Sequence, residues 1–110
     1  MTINEYQKAA LRTAGTENQT DLFMNGVMGM CGEAGECIDL VKKWKFQQHE
    51  LDFAHIAKEL GDVAWYLAVT AYAIGYDLET ILQMNVDKLK KRYPEGFDPE
   101  RSQHREAGDV

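Results

Sequence analysis

Two acidic pairs, Glu33-Ala34-Gly35-Glu36 and Glu59-Leu60-Gly61-Asp62, constrain the fold of this chain more than any other feature. Each pair has i, i+3 spacing, so its two carboxylates share one face of a helix. In an antiparallel helical hairpin, residues at equal height have position numbers of constant sum. Glu33 with Asp62 and Glu36 with Glu59 give the same sum, so all four carboxylates would meet. That geometry needs a turn between Gln47 and Gln48, where apolar spacing lapses into Gln47-Gln48-His49-Glu50. The predicted fold is all-α with a central antiparallel hairpin.

Carboxylates converging among apolar side chains repel one another and lose hydration unless a cation neutralises them. An oxygen-only ligand set favours Mg²⁺, Mn²⁺ or Ca²⁺ over zinc, and Mg²⁺ commonly binds substrate phosphates as well. The bland alternative is a pair of solvated helix faces. The helical wheel argues against it. At about 100° per residue, Glu33 falls between Cys37 and Leu40 with Trp44 nearby, while Glu59 and Asp62 are bracketed by Val63, Tyr66, Val69 and Thr70. Gly35 and Gly61 precede the second acid of each pair, and glycine disfavours a helix interior. Something is therefore expected to approach the backbone closely at both, with helix packing a sufficient cause.

The chain has 110 residues, enough for one domain, and a formal net charge of −6. A basic footprint for polymeric nucleic acid is lacking. Cys31 and Cys37 are six apart on one predicted helix, about 9 Å along its axis, beyond disulfide reach. Free thiols and the absence of a secretory pattern at the start point to the cytoplasm. The most apolar run, Val63 to Tyr76, is shorter than the roughly 20 residues needed to cross a bilayer.

Four main helices are expected. The first runs from an Asn4 cap to Thr13, the second from Asp21 to Phe46, and the third from Leu51 to Ile74, where Gly75 stops it. Asp77 is placed as the cap of a fourth helix that ends at Tyr93, before Pro94. These form a domain over residues 1–94, followed by a polar arm over 95–110, extended or partly mobile. Met24, Val27, Cys31, Ala34, Ile38 and Val41 build the apolar stripe of the second helix. The third helix is apolar around nearly its whole circumference. Three partner helices cannot cover it, which predicts a homodimer at least, with the second and third helices against their copies.

Asn85, Lys88 and Arg92 form one stripe on the fourth helix, suited either to polyphosphate oxygens and a sugar or to an ordinary solvated face. Trp44, among Lys42, Lys43 and Lys45, is suited to stacking on a base or to core packing. His49, His55 and His104 share no metal-ligand spacing and are assigned to the surface. The methionines Met24, Met28, Met30 and Met84 are assigned to the core.

These motifs resemble the MazG-like, all-α nucleoside triphosphate pyrophosphohydrolase superfamily. The likeness lies in Gly32-Glu33-Ala34-Gly35-Glu36, in Lys58-Glu59-Leu60-Gly61-Asp62-Val63-Ala64-Trp65-Tyr66-Leu67, and in the segment from Asn85 through Pro94 to Phe97 with the Arg101-Ser102 tail. It implies Mg²⁺-dependent hydrolysis of an NTP or dNTP to the monophosphate and pyrophosphate, with Mn²⁺ as a possible substitute. It makes Glu33, Glu36, Glu59 and Asp62 the metal ligands and Asn85, Lys88 and Tyr66 substrate contacts, with Arg92 and Trp44 as further candidates. A dimer or a dimer of dimers is implied. Glu36 is the candidate for taking a proton from the attacking water. The rival readings are a pyrophosphohydrolase for a phosphoribosyl-nucleotide and a non-catalytic helical module that binds a nucleotide or metal.

Overall fold

The computed structural model describes residues 1–110. It contains five helices and no strand: α1 (Ile3–Leu11), α2 (Gln19–Gln47), α3 (Phe53–Ala73), α4 (Leu78–Arg92) and α5 (Pro99–Gln103). The chain forms two compact units, Met1–Leu78 and Glu79–Val110.

Short polar side chains set the helix starts. Thr2, rather than Asn4, caps α1 through a reciprocal capping box. The Glu5 amide donates to Thr2 Oγ1 at 3.1 Å, and the Thr2 amide donates to Glu5 Oε2 at 3.2 Å. Asn18 caps α2 by accepting from the Asp21 amide at 3.0 Å, so that helix starts before Asp21. Asp52 caps α3 by accepting from Ala54 and His55 at 2.9 and 3.2 Å, which excludes Leu51 from the helix. The α2/α3 turn lies close to where the sequence places it. The residue after α2 is Gln48, in the left-handed conformation with φ 58°. At the end of α3, Gly75 adopts φ 86°. The Tyr76 amide then reaches Ala71 O at 2.9 Å and the Gly75 amide reaches Tyr72 O at 3.0 Å, closing a Schellman motif.

In the first unit, α3 packs against both α1 and α2. Its core consists of Ala10, Leu22, Ala68, Val69, Ala71 and Leu78. Trp65 ties α3 to the end of α1, its indole N–H shared between Ala10 O at 3.1 Å and Thr13 Oγ1 at 2.9 Å. Gln7 is buried and fully used. Its Nε2 donates to Ala68 O and Tyr76 O, both at 3.1 Å, and its Oε1 accepts from the Leu78 amide at 2.9 Å. One amide side chain thus satisfies the backbone of the α3 exit and the first residue of α4, where an unpaired group would be costly.

The apolar stripe of α2 is not the side that this chain buries. Leu22 and Gly26 are buried, and Gly29, Glu33, Cys37 and Leu40 are half-buried along the same side. Met24, Val27, Cys31, Ala34, Ile38 and Val41 are exposed, with Ile38 at 71%. The cause is closeness of approach. A Cβ added to Gly29 would overlap the Tyr66 ring, and one added to Gly26 would overlap the Thr70 hydroxyl and lie 3.3 Å from its Cα. The face bearing these two glycines lets α2 and α3 come together; the bulkier stripe does not. Gly35 and Gly61, where close approach was expected, have open space around them.

Arm residues 95–110 are folded rather than extended. Asp98 caps α5 by accepting from the Glu100 amide at 2.9 Å, and Pro99 occupies its first turn. No helix of the protein is long and apolar enough to cross a membrane. Both cysteines are free, Cys31 exposed and Cys37 half-buried.

Candidate metal centre

Where α2 and α3 pack, contacts pair Gly26 with Thr70 and Gly29 with Tyr66. The acids follow in the same progression. Carboxylate oxygens of Glu33, Glu59 and Asp62 all lie within 4.8 Å of one another. Glu33 and Glu59 are half-buried and Asp62 is exposed. Glu36 is exposed and stands outside this group of three, because it lies beyond Glu33 on the solvent side of the same helix. The four-acid expectation becomes three acids in ligand range and a fourth alongside.

Glu33 is the stressed member. Its Oε2 is buried without a hydrogen-bond partner. Its carboxyl is raised above the usual glutamate range, first because Glu59 offers a hydrogen bond that only the protonated acid can make, then by burial, then by the charges of Glu36, Asp62 and Glu59. A buried acceptor with no donor, facing carboxylates of its own sign, is suited to a hard divalent cation. Glu33, Glu59 and Asp62 therefore fit such an ion.

Surrounding side chains orient the acids and shape the space before them. His55 Nε2 stands 3.0 Å from Glu59 Oε1, one helical turn away, and leaves only 12% of the Glu59 side chain exposed. His55 is exposed, as the sequence suggests, and its i, i+4 spacing from Glu59 is the clue to this contact. Glu33 and Asp62 open onto a cleft of 410 Å³, whose other walls are Thr13, Trp65 and Tyr66. Tyr66 thus lines the site, its ring edge-on to Trp65 with centroids 5.0 Å apart. Thr13 arrives from beyond the end of α1, and no local pattern marks it. The charge of Asp62 extends to Tyr6, whose phenol is raised by burial and then by that carboxylate.

The remaining expected site residues are one on α2 and three on α4. Trp44, on α2, is 46% exposed and has not entered the core. Asn85, Lys88 and Arg92 belong to α4, with Asn85 and Lys88 exposed and Arg92 half-buried. Arg92 is engaged within its own unit, forming a two-pronged pair with Asp109 at 2.8 and 2.7 Å.

A family model described as the MazG nucleotide pyrophosphohydrolase domain matches residues 25–97. The chain belongs to this family. The matched stretch includes all three converging acids, Glu36 and the stripe on α4. This MazG chain is also 35% identical over 107 residues to the Gene 37 protein of Mycobacterium phage L5, covering 87% of the chain and 92% of that relative. No solved structure matches it. The all-helical fold is consistent with the MazG family, and the three-acid cluster lies within the matched region.

Proposed function

We propose that this protein is a Mg²⁺-dependent nucleoside triphosphate pyrophosphohydrolase that converts an NTP or dNTP to the monophosphate and pyrophosphate. The carrying observation is the trio Glu33, Glu59 and Asp62 within 4.8 Å, with Glu33 Oε2 buried and unpaired. α2 and α3 are read as an antiparallel hairpin, since contact positions fall along α3 as they rise along α2. Glu33, Glu59 and Asp62 would hold the cation, and His55 fixes the orientation of Glu59. When bound, Mg²⁺, or Mn²⁺ in its place, supplies Lewis acidity toward phosphate oxygens. Glu36, outside the trio, is free to accept the proton of the attacking water. Tyr66 and Trp65 shield one wall of the cleft from solvent. Asn85 and Lys88 are assigned to the nucleotide, with Arg92 and Trp44 as further contacts.

The working unit is proposed to be a homodimer or a dimer of dimers. The exposed stripe from Met24 to Val41 steps by three and four residues, the spacing of a helix seam. Free thiols fit the cytoplasm. Sedimentation velocity at low concentration checks the assembly, and a monomer would contradict it.

The activity test is pyrophosphate release from a panel of NTPs and dNTPs with Mg²⁺, Mn²⁺ or EDTA, beside a Glu36→Gln control. Cation-dependent release that is lost in the control is expected. Release from none of them would turn the reading toward a phosphoribosyl-nucleotide substrate or a non-catalytic binding module.

A further inference from the structure

The second unit holds a hollow of 280 Å³ that includes Lys88 and Arg92, two of the residues assigned above to the nucleotide. By liquid density it has room for about nine water molecules. Lys88, Lys91 and Arg92 line it from a single face of α4, joined by Arg101 and Arg105. Against these five cations stand two lining carboxylates, Glu106 and Asp109, so the hollow carries an excess of positive charge.

One of those carboxylates lies where an external anion would be expected. Asp109 meets Arg92 with two parallel contacts, Oδ2 to Nε at 2.8 Å and Oδ1 to Nη2 at 2.7 Å, across 17 residues of chain. Both partners are largely shielded, with side chains 9% and 18% exposed. The fork of a guanidinium accepts carboxylate and phosphate oxygens in the same way. Gly108, at φ 84°, supplies the left-handed step before Asp109, and the Asp109 amide closes the turn on Glu106 O at 3.1 Å. The chain therefore bends back to deliver a carboxylate into a basic hollow.

We propose that Asp109 is a built-in occupant that holds this hollow shut against phosphate or pyrophosphate groups, a regulation that rests on the assignment of Lys88 and Arg92 to the nucleotide. An incoming anion must displace Asp109 from Arg92, so the latch lowers apparent affinity by the fraction of time it is open.

The test is calorimetric titration of the full chain with inorganic pyrophosphate, and separately with a non-hydrolysable nucleoside triphosphate, in EDTA at low salt. Turnover plays no part under these conditions, so failure of the pyrophosphohydrolase reading would leave the result standing. Asp109→Asn should tighten pyrophosphate binding about tenfold, the gain from opening a latch closed roughly nine-tenths of the time. Glu106→Gln removes an equal charge from the same hollow without freeing Arg92, and should change affinity by less than about twofold on the same reasoning. Arg92→Gln should abolish the tightening when combined with Asp109→Asn. Equal affinity for both ligands supports the site and identifies the phosphates alone as the ligand; tighter triphosphate binding supports it with a nucleotide as the source. An unchanged affinity in Asp109→Asn, or an equal gain in Glu106→Gln, would overturn the latch.

Discussion

Glu33 and Asp109 are both carboxylates withdrawn partly from water, yet their surroundings drive them in opposite directions. Glu33 faces Glu59, Asp62 and Glu36, and is raised. Asp109 faces Arg92, with Arg105 and Lys88 behind it, and is lowered. The first region concentrates negative charge that an outside cation must balance. The second balances its charge internally and must give up a partner before it can take a ligand. Fold and packing made one an unbalanced acidic cluster and the other a closed pair.

Removing the acids gives the largest expected effect. Glu36→Gln should lower turnover at least about 100-fold, the usual worth of a positioned proton acceptor, with far-UV circular dichroism unchanged. Asp62→Asn should abolish Mg²⁺ binding as measured by calorimetry. Near-normal activity in either variant at saturating Mg²⁺ would remove the functional half of the contrast.

Packing around the cluster comes next. Gly29→Ala should destabilise the protein by about 1–3 kcal/mol in urea titration, because the added methyl overlaps the Tyr66 ring and forces it off α2. Gly35→Ala, in open space, should stabilise by up to about 1 kcal/mol through helix propensity. If the two substitutions behaved alike, close approach at Gly29 would not be what aligns the acids. Gln7→Ala strands the Leu78 amide and two carbonyls and should cost about 2 kcal/mol in the same titration.

The pH dependence sharpens the contrast directly. Glu33 is raised in the folded state, so the apo protein is stable below the ordinary glutamate range and loses stability as pH rises through the folded value. Asp109 is lowered, so its contribution is present above the ordinary aspartate range and lost as pH falls through the folded value. Calorimetric melting in EDTA should therefore decline on both sides. Glu33→Gln should flatten the alkaline side, and so should Mg²⁺, which competes there with protons. Asp109→Asn should flatten the acid side, the smallest of these effects because a single ion pair near the surface contributes little.

Much of this was legible in the chain because it is local. The four long helices follow from capping side chains and apolar period, and the turn near Gln48 follows from a lapse in that period. Glu33 on a partly buried face follows from its wheel position. The errors have a common origin. The α1 cap was assigned to Asn4 although Thr2 and Glu5 already form a capping-box pattern. Hydrophobicity marks the apolar stripe of α2, but the small residues Gly26 and Gly29 decide which side α3 can approach. His55 is exposed as assigned, but its contact with Glu59 was readable from their i, i+4 spacing.

Helices, the turn that joins α2 to α3 and the acids that the two helices carry were determined by the sequence alone, since each depends on residues within a few positions of one another. Tertiary structure decided which three acids converge, that Trp65 and Gln7 anchor α1 against α3, and that Asp109 closes on Arg92. Those outcomes depend on distance between segments far apart in the chain. Periodicity records which side of a helix is apolar, but steric fit and charge between remote residues select which side is used.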